Sequence, residues 1–243
     1  MSTVEEHYQN LLARHYSWMF GGAETKIADN RRFFQEHNCT PRLSGHAIDL
    51  GAGPGFQSIP LAEAGFVVTA IDLSVELLNE LTQNSIEGLS IRTVVADLRQ
   101  FLLHISAPVE LAVCMGDTLT HLESPEQVEL LFADVYNHLE PGGCFIITFR
   151  DLTTLPVGLD RFIPVHSDDR TIFTCFLEDT GTHVAVHDLV HVRETDRWSF
   201  HKSSYRKLKI SPDDAATALG KPGFIVEHRS EVRGLVTLIA RKI

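Results

Sequence analysis

The stretch Ala47-Ile48-Asp49-Leu50-Gly51-Ala52-Gly53-Pro54-Gly55 decides how this 243-residue chain is read. A short apolar run carrying an aspartate passes through three glycines at alternate positions and opens into a helix-like segment, Phe56 to Ala64. The pattern predicts strand, tight turn, helix. Glycine takes positive φ freely and leaves no Cβ between backbone and ligand, so a cofactor can lie against such a turn. A turn of this kind, at the carboxyl end of a first strand, is where open α/β sheets bind nucleotides.

Two ligand chemistries compete for it. A dinucleotide turn has Gly at its first, third and sixth positions and sets a pyrophosphate on the helix N-terminus, but here the sixth position is Phe56. Asp49 would repel a pyrophosphate and suits a cationic amino group. From Asp49 through Gly55 the chain resembles the class I S-adenosylmethionine-dependent methyltransferases, whose first motif is an acidic residue followed by Gly-x-Gly-x-Gly. The resemblance implies S-adenosyl-L-methionine as cofactor and S-adenosyl-L-homocysteine as product, with Asp49, Gly51, Ala52, Gly53 and Gly55 at the site. The competing reading is a glycine turn that only joins strand to helix.

Downstream segments extend the resemblance. Phe66 to Ile71 is a buried strand ending at Asp72-Leu73, about 20 residues past the start of the turn, where an acid can accept both ribose hydroxyls. Ser74 offers an N-cap for the helix that follows. A third strand, Ile91 to Ala96, ends in Asp97-Leu98, similar to the family's adenine-contacting motif; Asp97 is alternatively a helix cap. A fourth strand, Glu110 to Met115, leads into Gly116-Asp117-Thr118-Leu119-Thr120-His121-Leu122. This loop lies at the switch point beside the first strand, so Met115, Gly116 and Asp117 are expected at the cofactor. It lacks the Asn/Asp-Pro-Pro-aromatic signature of family members that methylate amide or exocyclic amine nitrogens, which argues against DNA bases and glutamine side chains as acceptors.

Ser124-Pro125-Glu126-Gln127 predicts a capped helix to about Leu139, and a Pro-Gly-Gly turn precedes a fifth strand, Cys144 to Phe149. Strands alternating with helices imply a parallel sheet. From Arg150 the pattern changes to four runs rich in β-branched and aromatic residues, 162–165, 170–177, 183–192 and 198–210, joined by connections too short for crossovers. They predict an antiparallel meander. A capped helix from Ser211 and two last strands, 224–230 and 235–241, match the way the resembled family completes its sheet.

The expected fold is α/β: a doubly wound, seven-stranded, mostly parallel sheet with an inserted antiparallel β cap and an N-terminal helical lid. The expected units are a lid at 1–45, a Rossmann-like S-adenosylmethionine-binding domain at 46–150 and 211–243, and a substrate cap at 151–210. Within the lid, Val4, Tyr8, Leu11, Leu12, His15 and Trp18 recur at helical spacing, and Gly21-Gly22 supplies a stop. By the resemblance, His15, Tyr16, Trp18 and Gly22 are candidates for cofactor contact; the other reading is that these aromatics dock the helix on the core.

A methyl on sulfonium is already activated, so the protein must mainly align the acceptor. His121, with His15, is the titratable candidate for a base near neutral pH, or else His121 packs the turn. Arg150 could hold an acceptor carboxylate or phosphate, or pair with a nearby acid. Trp198, Phe200 and Tyr205 could line an apolar acceptor pocket. His183, His187 and His191 stand four apart, about 13 Å on a strand, too far to share one ion, so no metal is expected.

Composition leaves small molecules or basic proteins open as partners; a small-molecule acceptor is the expectation. A net charge of −11 gives no basic surface for phosphates, so no nucleic-acid partner is expected. Four widely spaced cysteines, no secretory signal pattern at Met1 to His7 and no run of about 18 apolar residues predict a reduced, cytoplasmic, non-membrane protein. Alternatives are a methyltransferase for a basic protein and a non-catalytic S-adenosylmethionine sensor. A nicotinamide-dependent oxidoreductase ranks last. Sequence leaves the oligomeric state open.

Overall fold

The computed structural model describes residues 2–243. The chain opens on a nearly continuous helical path: α1 (Val4–His7), a π turn (Tyr8–Leu12), a 3-10 turn (Ala13–His15) and α2 (Tyr16–Met19). Thr3 starts it with a capping box: Thr3 Oγ1 accepts from Glu6 N–H, and the Glu6 carboxylate accepts from Thr3 N–H. Sequence spacing predicts one regular helix. The π turn alters its phase, and the adjacent Leu11 and Leu12 are both buried. Gly21 and Gly22, at φ 80° and 101°, end the path before α3 (Ala23–Glu36).

The main body alternates β1 (His46–Leu50), α4 (Ser58–Glu63), β2 (Val67–Asp72), α5 (Val75–Asn84), β3 (Ile91–Val95), β4 (Val109–Cys114), α6 (Pro125–His138) and β5 (Leu139–Arg150). Ser74 and Ser124 cap α5 and α6 through their hydroxyls, as expected. The Pro-Gly-Gly segment is a bulge inside β5 rather than a turn ahead of it: Val109 pairs with Leu139, and the next pair is Leu111 with Cys144. Gly142, at φ 80°, supplies the irregular backbone.

A second sheet follows: β6 (Phe162–Ser167), β7 (Thr171–Asp179), β8 (His183–Glu194) and β9 (Arg197–Leu208), an antiparallel meander in that spatial order. After α7 (Pro212–Gly220), β10 (Ile225–Val232) and β11 (Leu235–Arg241) return to the first sheet. Its order is β10-β11-β5-β4-β1-β2-β3, with β11 antiparallel to β5 and β10 and all other pairs parallel.

Strand alternation divides the core between the faces of the large sheet. Ile48 and Leu50 of β1 pack with Phe132, Phe145 and Leu219 on one side, while Ala47 packs with Phe34, Leu61 and Phe66 on the other. Each such fully buried aliphatic or aromatic side chain contributes roughly 1.5–3 kcal/mol. The small sheet uses one face likewise: Phe173 and Val190 pack with Leu11 and Leu12, and Leu177, Val184, Val186 and Tyr205 pack with Leu152. The N-terminal path is thereby pressed between the small sheet and the carboxyl ends of the parallel strands.

Candidate active site

The glycine turn leaves β1 in left-handed conformations, with φ 81° at Gly51, 51° at Gly53 and 89° at Gly55. Two of the three glycines are also forced by packing. A Cβ at Gly51 would lie 2.6 Å from Thr118 Oγ1, and one at Gly55 would lie 2.7 Å from Leu81 Cγ. Gly51 and Ala52 N–H groups both donate to Ile71 O at 2.9 Å, and Gly53 N–H donates to Asp72 Oδ2 at 2.8 Å. The second acid thus holds the glycine turn, while its Oδ1 accepts from Ser74 N–H at 2.8 Å. Burial raises the Asp72 pKa.

Four carboxylates gather at or near the carboxyl ends of β1 to β4: Asp49, Asp72, Asp97 and Asp117. Asp49 is fully buried in β1, beneath the turn rather than on a cavity wall. Its Oδ2 accepts from Ser58 Oγ at 2.6 Å, its Oδ1 has no partner among the described residues, and burial pushes its pKa up to about 7. Asp97 does cap the short 3-10 helix Leu98–His104, accepting from Arg99 N–H at 2.8 Å and from the Arg99 guanidinium. Burial acts to raise its pKa, but the Arg99 hydrogen bonds and charge outweigh this and lower it. Leu98 stands beside it.

A cavity of about 760 Å³ opens over this rim. Gly51, Asp72, Leu73, Asp97, Leu98, Thr118 and His121 line one side, and Ser2, Thr3, Val4, Glu5 and Tyr8 line the other. The donor set fits a ligand with an ammonium, a sulfonium, ribose hydroxyls and no phosphate. A pyrophosphate would meet carboxylates instead of counter-charge.

The lid residues divide. Tyr16 spans the gap between turn and switch loop: its Cε1 would be 3.8 Å from a Gly53 Cβ, and its hydroxyl 4.0 Å from a Gly116 Cβ. Trp18 turns away to the small sheet, donating from Nε1 to Asp168 Oδ2 at 2.7 Å. Gly22 caps α3, and His15 packs edge-on to Trp18, its pKa lowered by burial and then by Arg14 and His201. Met115 is buried in the core, and Gly116 N–H donates to Thr148 Oγ1 at 2.8 Å.

Asp117 is left-handed without being glycine, at φ 83°. Its Oδ1 accepts from Arg150 N–H at 2.9 Å, and its Oδ2 pairs with Lys207 of β9. One carboxylate therefore joins the switch loop to β5 and to the small sheet. The Arg150 guanidinium is exposed and has no ion pair among the described residues; Asp151 instead accepts from Thr153. His121 lies 5.5 Å from the Tyr205 ring and 5.9 Å from Tyr8, and burial, followed by Lys207, depresses its pKa to about 3. It is neutral at neutral pH and a weak base.

Sequence reasoning missed part of this cluster. His7 is fully buried, bonds Asp188 of β8 through Nε2 at 2.9 Å and stacks on Tyr205 at 4.2 Å. Burial raises the Tyr8 and Tyr205 pKa values, keeping both hydroxyls uncharged. The available signal was Asp188 itself, an acid alternating with Val184, Val186 and Val190 on the inward side of a strand. Of the three aromatics expected at an acceptor pocket, only Tyr205 faces inward; Trp198 and Phe200 are 49% and 51% exposed on the opposite face. The spaced histidines separate as expected for a strand: His183 bonds Glu123 O, His187 bonds Glu178, and His191 stacks on Phe200.

Comparison with known proteins agrees with this geometry. The family described as "Methyltransferase domain" matches residues 47–143. A glycine/sarcosine N-methyltransferase from Aphanothece halophytica is 40% identical over 74 residues, 30% of this chain and 28% of that protein, so the match spans under a third of either. A solved S-adenosylmethionine-dependent methyltransferase from Clostridium acetobutylicum superposes with a TM-score of 0.72 at 18% identity, covering 90% of this chain and 91% of the other. An amino pentose methyltransferase from Micromonospora echinaspora, solved with S-adenosylmethionine bound, gives 0.69 at 16% identity, covering 100% and 98%. No described helix is long and apolar enough to cross a membrane. Residues 47–143 thus match the methyltransferase-domain family, and the chain has the fold of the class I S-adenosylmethionine-dependent methyltransferases.

Proposed function

We propose that this protein transfers a methyl group from S-adenosylmethionine to the nitrogen of a small-molecule amine held under the β6–β9 sheet, which acts as the substrate cap. The observation that carries the reading is the glycine turn tied to Asp72 and opening into a cavity whose wall holds Leu73, Asp97 and Leu98. A nitrogen acceptor is supported by the activity of the glycine/sarcosine N-methyltransferase relative and by the rings of Tyr8 and His121 in the cavity wall, because aromatic faces receive an amine and its developing positive charge.

When bound, the cofactor supplies a methyl already activated on sulfonium. Asp72 would accept from the ribose hydroxyls, Asp97 would accept from the adenine amine, and Leu98 would pack on the ring. Tyr16 would close the methionine end. The cap and the N-terminal path exclude water and hold the amine in line with the methyl, which supplies most of the acceleration. Neutral His121 can accept a hydrogen bond from the amine, leaving the nitrogen lone pair free to attack.

Calorimetric titration with S-adenosylhomocysteine, with NADH in parallel, tests the cofactor. Mass-spectrometric detection of S-adenosylhomocysteine formed from S-adenosylmethionine across glycine, sarcosine and amino sugars then tests the acceptor. The reading predicts micromolar binding of the first ligand alone and turnover with an amine. NADH binding instead would return the site to the nucleotide readings. Cofactor binding with turnover only on basic proteins, or on nothing, would favour the protein-methylating or sensor alternatives.

A further inference from the structure

Side chains of β6–β9 alternate between two faces, one packed on the rest of the chain and the other largely open among the described residues. The inward face carries Phe173, Leu177, Val186, Val190 and Tyr205, buried under the N-terminal path and the segment around Leu152. The outward face is mixed, with two rows rich in aromatic and aliphatic side chains on either side of a row of Thr174, Leu189 and Lys202. Ladder pairing sets Ile172, His191 and Phe200 in one cross-strand row and Phe162, Phe176 and His187 in another, with Trp198 beside the first. Ile172, Phe162, Trp198 and Phe200 are 41–51% exposed. A sheet facing water alternates apolar-in and polar-out, and contiguous exposed apolar surface marks an interaction site.

We infer that this face is a two-fold interface between two copies of the chain, a conclusion independent of the methyl-transfer reading. Three features favour a second copy. First, a face nine residues of β7 long and four strands wide covers roughly 600 Å², so pairing two of them buries roughly 1,200 Å², the lower bound of a stable specific interface. Second, the same patch on each copy makes an isologous contact that closes without leaving it free for further chains. Third, charge directs the encounter. Strand alternation puts Glu178, Arg193 and Lys202 on this face, a balance of +1, while the whole chain carries −11. Two copies of so acidic a chain repel least when they meet through this sheet.

Sedimentation of the full chain at micromolar concentration tests the inference. The wild type is expected at twice the 27.1 kDa chain mass. Ile172→Glu with Phe200→Asp should sediment as a monomer while keeping its far-ultraviolet dichroism and cooperative melting. Trp198→Lys, a milder change at the edge, should raise the dimer dissociation constant roughly tenfold or more. Leu103→Asp, an equally severe change at an exposed residue outside the sheet, should leave the dimer intact. A monomeric wild type would overturn the inference, and its co-sedimentation with phosphatidylserine vesicles would hand the face to a lipid surface. Dimers that survive the double change in a folded protein would place the interface elsewhere.

Discussion

Asp72→Ala separates the two duties of that carboxylate. In the free protein it accepts from Gly53 N–H and Ser74 N–H, each at 2.8 Å, so the side chain already shapes the turn. Charge-assisted hydrogen bonds contribute on the order of 1.5–3 kcal/mol each, but both donors border the cavity, where water can replace the carboxylate; the expected loss of stability is about 1–3 kcal/mol. A chain of this size then melts roughly 2–10 °C lower. Ligand binding loses two further acceptors, those facing the ribose hydroxyls, for another 1–3 kcal/mol, or about 5- to 150-fold in affinity. Calorimetric titration with S-adenosylhomocysteine, alongside thermal melts of the same samples, reads both quantities. Asp72→Asn keeps one acceptor oxygen and the shape, so it should fall between wild type and alanine in each. A folded Asp72→Ala protein that melts lower yet binds the ligand with wild-type affinity would refute the ribose assignment and leave Asp72 as a turn-holder only.

Two more outcomes follow from buried geometry. Asp49, raised to about 7 from an ordinary 3.8, binds its proton more tightly folded than unfolded, so its contribution to stability is present below its unfolded value and falls as pH rises towards 7. Asp49→Asn should remove that slope and stabilise the protein above neutrality by about 2–4 kcal/mol; melting curves shifted equally at acidic and alkaline pH would show that ionisation of Asp49 is not the cause. Gly51→Ala adds a Cβ 2.6 Å from Thr118 Oγ1 at φ 81° and should cost roughly 2–4 kcal/mol, whereas Gly88→Ala, at φ 94° with open space, suffers the backbone strain alone, about 1–2 kcal/mol. Equal urea midpoints for the two variants would show that the Thr118 contact is not tight.

Much of this architecture is local and so was legible. Glycine spacing, Ser74, Ser124 and Ser211 as caps, and the short turns of the meander act within a few residues, and the structure places each where its chemistry predicts. Period-2 patterning also located β7 and β8; the odd spacing from Trp198 and Phe200 to Tyr205 separates their faces on one strand, but only the packing partners show which face is covered. What stayed hidden depends on residues far apart in the chain. His7 meets Asp188 across 181 positions and Asp117 meets Lys207 across 90, and no local rule pairs them. The π turn is likewise invisible to a fixed 3.6-residue period. Asp97 shows the converse: its cap reading holds, and the same carboxylate stands in the cavity wall, the position that its adenine reading requires.

The placement of the two tryptophans gives the protein its own optical readout. Trp18 sits at the seam between the N-terminal path and the small sheet, hydrogen-bonded to Asp168 with the His166 ring 4.6 Å away, a neighbour that can quench indole emission when protonated. Trp198 lies on the outward face, at the other side of the same sheet. A Trp198→Phe protein would therefore report through intrinsic fluorescence on the seam alone, and a Trp18→Phe protein on the outer face alone, so movement over the cavity and association between copies can be followed as separate signals without a label.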